Sequence, residues 1–253
     1  PDVYHGAPMA VTALFAMVPK LAAMALLIRV VHGAFAPVWF DAMQVLAALC
    51  IASLFVGAIG ALVQTHLKRL LAYSAITNIG IILIAVIAGG GQGIGAALSY
   101  MVIYTVMGLG LFSCILMLRK GGIAVQTMDD LSGLVSHYPV MAYVMTGFLF
   151  SLSGIPPLAG FFGKLTVFQA AVEQGYTWLA VVGVVASVIA AAYYLRLIKV
   201  MLFDAAQGEG PSLLPSASLA WLIGVSALFV GFFILNPQIL FTLSESAAAT
   251  LFD

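Results

Sequence analysis

The chain has 253 residues, of which 64% are hydrophobic and only 7% charged, and its formal net charge at pH 7 is zero. A soluble domain is about half apolar and about a quarter charged, so this composition excludes an ordinary soluble protein and indicates a surface that faces lipid. The lack of a basic run argues against nucleic-acid binding. Cys50 and Cys114 lie in apolar runs without the spacing of a metal or iron–sulfur site, so we expect no redox centre in this chain.

Apolar runs that are long enough to cross a membrane follow one another along the whole chain. A spanning helix needs about 20 mostly apolar residues. The runs lie at about 8–31, 41–63, 70–88, 96–118, 139–171, 177–200 and 217–239. Helices satisfy their backbone hydrogen bonds within each segment, as lipid requires. The sequence therefore predicts an all-α polytopic transmembrane helix bundle with about seven spans, in a single membrane domain over residues 1–253.

Basic residues are concentrated at three of the connections. They are Lys68 and Arg69, Arg119 and Lys120, and Arg196 and Lys199. If the spans alternate in direction, all three places fall on one side of the membrane, while the opposite connections near 32–41, 89–95 and 172–177 carry no Lys or Arg. Basic connections stay inside. We therefore expect the N-terminus of this chain inside and its C-terminus outside.

The fifth run is too long for one simple crossing. About thirty residues of helix extend about 50 Å, against a hydrocarbon core of about 30 Å. Pro156 and Pro157 lie in its middle, and two prolines remove two amide donors from the helical ladder. We expect a discontinuous helix interrupted between about Gly154 and Gly160. Irregular backbone at this depth is tolerated only against protein or a wet cavity.

Two lysines lie within the apolar spans. Lys20 is near the middle of the first run, and Lys164 follows the expected break by four residues. A lysine at the centre of a spanning helix costs about 3 kcal/mol on insertion scales, so it implies a use or a partner. Lysine also changes its protonation readily when it is desolvated. We interpret both as proton-transfer sites, and the alternative is that each pairs with a carboxylate of another subunit.

Polar side chains on neighbouring spans are candidates for a relay between the two lysines. All nine acidic residues lie in connections or at ends: Asp2, Asp41, Asp129, Asp130, Glu173, Asp204, Glu209, Glu245 and Asp253. The relay candidates are therefore hydroxyl groups, which hold water and pass hydrogen bonds. We select Tyr73, Thr77 and Tyr104, and note Ser74, Asn78, Ser99 and Tyr100 beside them. The alternative for each is ordinary hydrogen bonding between helices.

Three motifs, in order, resemble one family of membrane subunits. Residues 1–8 read PDVYHGAP, residues 64–74 read QTHLKRLLAYS, and residues 154–164 read GIPPLAGFFGK. They are similar to the stretch before the eighth helix, the KRLLAYS signature and the broken twelfth helix of antiporter-like subunits of respiratory NADH:quinone oxidoreductase (complex I), of the subunit-N type. The resemblance covers essentially the whole chain.

The resemblance implies more than the residues show. The family has fourteen helices in two inverted repeats, so this chain would be the C-terminal part, with helices eight to fourteen and the complete second repeat, and the N-terminal half would be absent. Lys20 would join two half-channels, Lys164 would be the protonatable centre of the second, and Tyr73 would match a family tyrosine. The family's fifth-helix glutamate and seventh-helix lysine have no counterpart here.

The function implied is proton translocation within a redox-driven complex. NADH, FMN, iron–sulfur clusters and quinone would be bound by partner subunits, with no cofactor or metal in this chain, and further antiporter-like subunits would be among the partners. We expect an energy-converting membrane, the bacterial cytoplasmic membrane in particular. The alternatives are a subunit of a multi-subunit cation/proton antiporter or membrane-bound hydrogenase, or a non-translocating structural scaffold.

Overall fold

A computed structural model describes residues 1–206 and 210–250 of the chain. Within these ranges, six helices are long and apolar enough to cross a membrane. They contain α2 (Met9–Arg29), α3 (Trp39–Leu62), α4 (Leu67–Ala88), α5 (Gly90–Met117), α9 (Thr177–Leu202) and α10 (Ala217–Phe232). The fifth predicted run forms two shorter helices, α7 (Pro139–Ser153) and α8 (Ala159–Glu173). The class is mostly helical as predicted, and the count of seven crossings stays a prediction.

Short elements connect and flank the long helices. They are α1 (Asp2–Gly6), a π-helical turn (Val30–Ala34), 3₁₀ turns (Ala36–Val38, Asp129–Leu131 and Phe233–Leu235), α6 (Leu134–His137), α11 (Gln238–Ala249), and the strands β1 (Leu118–Lys120), β2 (Ile123–Ala124) and β3 (Ser212–Leu213). The helix α11 was not predicted as a separate element. Asn236 and Pro237 separate it from the preceding turn.

The predicted break in the fifth run is confirmed. The helix α7 ends at Ser153, and Gly154 follows with φ of 87°, a left-handed conformation that favours glycine. The helix α8 begins only at Ala159, after the two prolines. Five residues therefore interrupt the helix just before Lys164.

The prediction that residues 89–95 form a connection is wrong for most of this stretch. The helix α5 begins at Gly90, so Gly91 and Gly93 are helical. Glycine is a weak helix former, but at Gly93 a Cβ would meet the carbonyl oxygen of Ala85 and the backbone of Ala88. Close packing of α5 on the end of α4 therefore extends the helix through a glycine-rich stretch that resembles a loop in sequence.

The connection after α5 is a small antiparallel hairpin. Gly121 and Gly122 have φ of 59° and 80° and join β1 to β2. Positive φ at both central residues is the geometry of a tight hairpin turn. The strand β3 pairs with the other edge of β1, in the order β2-β1-β3. These few strand residues are the part of the structure that the all-α expectation did not include.

The three basic connections lie together at one end of the bundle. The amide of Leu67 donates to Gln126, Gly133 donates to Val200, and the Arg196 guanidinium donates to Leu62. We call this the basic end. The expectation that the three connections share one side is confirmed for the bundle, whereas which side of a membrane it faces stays a prediction.

Asp130 organises the loop at the basic end. Its carboxylate accepts hydrogen bonds from the amides of Gln126 and Thr127 at 3.0 and 2.9 Å and pairs with Lys120 at 3.4 Å. Partial burial alone would raise the pKa of Asp130, but the two amides and Lys120 hold it below its ordinary value. The carboxylate therefore stays ionised and holds the loop against the start of α4.

The helices α4 and α5 form the centre of the bundle. Most of their residues are buried, whereas α2, α3 and α10 leave most of their surfaces exposed. Glu245 lies inside α11, contrary to the prediction, whereas the other described acidic residues lie in connections, in short turns or at helix ends, as predicted. Glu209 and Asp253 lie outside the described residues. The buried lysines therefore lie against a centre of the bundle in which α4 and α5 carry no carboxylate.

Candidate proton-transfer site

Lys164 lies at the break, where it binds the exposed end of α7. The last carbonyl groups of a helix have no partner within the helix. The Lys164 Nζ donates to the carbonyl oxygens of Leu152 and Ser153, at 2.9 and 3.1 Å. The side chain is buried, and a cation at a helix C-terminus is favoured by the helix dipole. The broken helix thus provides a polar site for an ammonium group inside the apolar bundle.

Ser151 connects the two halves of the break. Its Oγ accepts a hydrogen bond from the amide of Gly160 at 2.9 Å, which satisfies one of the free donors at the start of α8. Gly160 packs so closely that a Cβ there would overlap the carbonyl oxygen of Ser151. The two short helices are therefore held in a fixed relation, and Lys164 is positioned by both.

A hydrogen-bonded network of four buried side chains joins α4, α5 and α9. The Asn78 Nδ2 donates to the Tyr194 hydroxyl at 3.3 Å and to the Ser74 carbonyl at 2.8 Å. The Tyr100 hydroxyl donates to the Asn78 Oδ1 at 2.7 Å, and the hydroxyls of Ser74 and Tyr194 are 2.5 Å apart. We call Ser74, Asn78, Tyr100 and Tyr194 the polar network. Its three hydroxyl groups can each accept and donate, which a proton relay requires, and the Asn78 amide orients the two tyrosines.

The polar network lies next to the helix that carries Lys164. The ring of Tyr100 packs on Gly163, where a Cβ would meet it. Sequence reasoning noted Ser74, Asn78 and Tyr100 but missed Tyr194. The available signal was the pair Tyr193–Tyr194 within an apolar span, where a phenol hydroxyl usually needs a partner.

Lys20 lies between two aromatic rings. Its Nζ is 5.6 Å from the centre of the Tyr4 ring and 5.5 Å from that of Tyr104, within the range of a cation–π contact. The Nζ is buried and forms no hydrogen bond within residues 1–206 and 210–250. Gly108 lets α5 approach the Met17 side chain of α2, which places Tyr104 beside Lys20.

The predicted relay residues fall in three different places. Tyr104 contacts Lys20 and has Tyr194 as an electrostatic neighbour, so it lies between Lys20 and the polar network. Tyr73 packs its ring against Gly60 of α3. The Thr77 Oγ1 donates to the backbone of Tyr73 at 3.3 Å. The structure therefore brings Tyr104 towards the network.

Two cavities adjoin this set of residues. One, of about 330 Å³, opens beside Lys20 between α2, α3 and α4, and Ser53, Ala72 and Ile76 line it. The other, of about 220 Å³, lies at the end of the bundle opposite the basic end. It is lined by Gln92, Gly95, Ala96, Ser99, Thr166, Gln169, Ala170, Glu173, Gln238, Phe241 and Glu245. We call the second one the polar cavity. Thr166, Gln169 and Glu173 follow Lys164 along α8.

Within residues 1–206 and 210–250, no group of three His, Cys, Asp or Glu side chains is arranged to hold an ion. Three ion pairs occur there, Arg69–Asp2, Lys120–Asp130 and Lys199–Asp204, and they involve neither Lys20 nor Lys164. The site is thus a set of buried lysines and hydroxyls.

A buried lysine at a broken helix, a second lysine in mid-span and a hydroxyl network between helices place charged and polar groups inside a polytopic membrane helix bundle. The sequence profile of the transmembrane family "NADH:quinone oxidoreductase/Mrp antiporter, TM" matches residues 1–190, and the chain belongs to this family.

Curated relatives narrow the similarity to one kind of subunit. The chain is 48% identical to NADH-quinone oxidoreductase subunit N 1 of Acidiphilium cryptum, over 99% of this chain and 52% of that protein. It is 47% identical to NADH-quinone oxidoreductase subunit N 1 of Rhizobium meliloti, over 100% of this chain and 52% of that protein. The chain spans about half the length of the curated relatives that it matches.

Solved structures share the fold. A chain of respiratory complex I from Thermus thermophilus with bound Aureothin superposes with a TM-score of 0.78 at 30% identity, over 95% of this chain and 52% of that one. A chain of the Mrp complex from Dietzia sp. DQ12-45-1b gives a TM-score of 0.80 at 23% identity, over 99% of this chain and 55% of that one. The second likeness concerns the fold alone.

Proposed function

We propose that this chain is part of a proton-translocating subunit N of NADH:quinone oxidoreductase, and that it carries protons through Lys20 and Lys164. The observation that carries the proposal is the burial of both ammonium groups without a carboxylate partner among the described residues. Burial disfavours the charged form, whereas aromatic faces or carbonyl groups favour it. A group balanced in this way can load and unload a proton as its surroundings change.

The proposed route runs from Lys20 through Tyr104 and the polar network to Lys164. Tyr104 contacts Lys20, and the ring of Tyr100 packs beside Lys164 on Gly163. Water would bridge the intervals between these groups. From Lys164 the proposed route continues along Thr166, Gln169 and Glu173 of α8 to the polar cavity, at the end opposite the basic end. With the basic end inside, the polar cavity would face outside.

The whole subunit supplies the rest of the function. The seven-crossing topology and the second inverted repeat of a fourteen-helix subunit, helices eight to fourteen, belong to this proposal. NADH, FMN, iron–sulfur clusters and quinone would be held by partner subunits, and neighbouring antiporter-like subunits would cover the exposed apolar helices. The membrane would be a bacterial cytoplasmic membrane, as the sources of the relatives suggest.

A structural role is the second candidate. The two hydrogen bonds from Lys164 to the end of α7 are those of a helix cap, and a cap requires no proton transfer. The substitution Lys164→Gln separates the two roles. A glutamine amide can still donate to a carbonyl group, but it cannot carry a proton.

The experiment measures NADH-driven proton uptake and electron transfer by the complex in liposomes, with the substitution in the full-length subunit. Groups that transfer protons contribute about 10²-fold or more, so Lys164→Gln should reduce proton uptake by about tenfold or more. Lys164→Arg should also lose proton uptake, because a guanidinium group does not release its proton. The control is Lys199→Gln, which removes an exposed lysine. Normal pumping by an assembled Lys164→Gln complex would favour the structural role.

A further inference from the structure

Lys68 is placed against the dipole of its own helix. It is the second residue of α4, where a positive charge is disfavoured because the N-terminal end of a helix carries partial positive charge. Among the described residues no carboxylate pairs with it. Its Nζ donates instead to the carbonyl oxygens of His5 and Ala7, at 2.6 and 2.8 Å. Its charge thus acts on the segment that precedes α2.

These two carbonyl groups belong to the end of α1. The helix α1 has five residues, and a helix of this length has little stability by itself. The free carbonyl groups at its C-terminal end favour a cation. Lys68 therefore provides a charged anchor that joins α1 to the first turn of α4. The partly buried position of Lys68 strengthens both hydrogen bonds relative to an exposed contact.

The anchored helix carries one of the two rings beside Lys20. Tyr4 lies in α1, and its ring is 5.6 Å from the Lys20 Nζ. Thr12 of α2 donates to the carbonyl oxygen of Tyr4 at 2.9 Å, and the Tyr4 hydroxyl donates to Phe15 at 3.1 Å. Since the Lys20 Nζ forms no hydrogen bond within the described residues, the rings of Tyr4 and Tyr104 are its stabilising contacts.

We propose that Lys68 is a positioning residue for Lys20, because it fixes α1 and thereby holds the Tyr4 ring over the ammonium group. This inference rests on the proposed function of Lys20. Without Lys68 the C-terminal end of α1 loses its two hydrogen bonds to α4, and the Arg69–Asp2 ion pair and the contacts of Tyr4 with α2 hold the ring less firmly over Lys20. The charged form of Lys20 then loses part of its stabilisation, and Lys20 gives up its proton at a lower pH.

The experiment records proton pumping against pH for the complete complex with variants in the full-length subunit. Lys68→Met should move the alkaline limb of the profile to lower pH by about half a unit to one unit, as loss of a cation–π contact implies. Lys68→Arg should restore the profile, since a guanidinium group can donate to the same two carbonyl groups. The control Lys199→Met removes a lysine from the basic end and should leave the profile unchanged.

Substitutions of Tyr4 test directly the contact between its ring and Lys20. Tyr4→Leu should reproduce the shift, whereas Tyr4→Phe keeps the aromatic face and should not. The double variant Lys68→Met/Tyr4→Leu should shift no further than either single one. If Lys68→Met fails to assemble, an unmoved profile for Tyr4→Leu still overturns the inference, and a normal profile for Lys68→Arg beside a shifted one for Tyr4→Leu supports it. An unmoved profile for assembled Lys68→Met, or for Tyr4→Leu, would overturn the inference.

Lys20→Met, measured beside them, separates this inference from the proposed function. If Lys20→Met pumps normally, Lys20 carries no protons and both ideas fail. If Lys20→Met loses pumping while Lys68→Met keeps the profile of the unmodified complex, only the positioning role of Lys68 fails.

Discussion

Tyr194 is the side chain that connects α9 to the polar network. Its hydroxyl contacts Ser74 and Asn78 of α4, which lie more than a hundred residues earlier in the chain. Buried hydroxyl groups without partners cost about 1–3 kcal/mol, so the network is favoured only as a complete set. The hydroxyls of Ser74 and Tyr194 are in direct contact and each can donate and accept, whereas the Asn78 amide holds the Tyr100 hydroxyl beside them.

Tyr194→Phe should therefore impair pumping and also reduce stability. The substitution removes the hydroxyl while keeping the ring, and we expect a loss of about 1 kcal/mol with proton uptake reduced at unchanged electron-transfer capacity. Proton uptake in liposomes and the thermal unfolding temperature provide the two measurements. Tyr143→Phe is the control, since Tyr143 is exposed on α7. Full proton uptake by Tyr194→Phe would remove the polar network from the proposed route.

At the scale of helices, the broken pair α7–α8 holds Lys164 at a defined place. A continuous helix would satisfy its own carbonyl groups and leave no acceptors for an ammonium group. The break frees the carbonyl groups of Leu152 and Ser153, and Lys164 binds both. The proline pair thus matters through the acceptors that it leaves available. The left-handed conformation of Gly154, which lies between Ser153 and the proline pair, is therefore part of the site.

Gly154→Ala should disturb this geometry. Its φ of 87° disfavours any side chain by about 1–2 kcal/mol, and an added Cβ would come within 3.0 Å of the Lys164 Cδ. We expect a lower unfolding temperature together with reduced pumping. Gly147→Ala is the control, because Gly147 lies in α7, the helix that ends just before Gly154, with open space around it, and alanine is the better helix former. Equal behaviour of the two variants would mean that the break tolerates a displaced Lys164.

At the scale of the whole molecule, hydropathy predicted the helices well and the site only in part. Lys20, Lys164 and the break could be predicted because charge in an apolar run and paired prolines are visible locally. The partners of Lys164 and the contact of Tyr194 with Asn78 could not, because they depend on how distant helices pack. The role of Lys68 was also hidden, since a basic residue beside a span first indicates orientation.

Glycine-rich residues 90–95 also show that local sequence does not reveal contacts between distant segments. Their composition is typical of a connection, but packing against α4 keeps them helical. Tertiary contacts therefore override local propensity where two helices approach closely. Tyr73 and Thr77 stay predictions. The ring of Tyr73 packs on Gly60, and Thr77 lies beside Tyr193, whose ring contacts Tyr194 of the polar network.

The topology of the broken pair can be tested by labelling. The helices α7 and α8 have 15 residues each, or about 22 Å each, so together they can cross a membrane despite the break. If they cross, the connection around position 174 lies on the side opposite the basic end. Single cysteines at positions 120 and 204 should then react from one side, and those at positions 92 and 174 from the other.

The native cysteines favour this experiment, because Cys50 and Cys114 are both buried and should react slowly with an impermeant maleimide. Position 174 is the informative one. If it reacts from the same side as position 120, α7 and α8 enter and leave by one face, and the chain has six crossings. If position 174 is labelled from the same side as position 92, α7 and α8 together form the seventh crossing and the two ends of the chain lie on opposite sides. Lys164 then lies on a route that connects the two faces of the membrane.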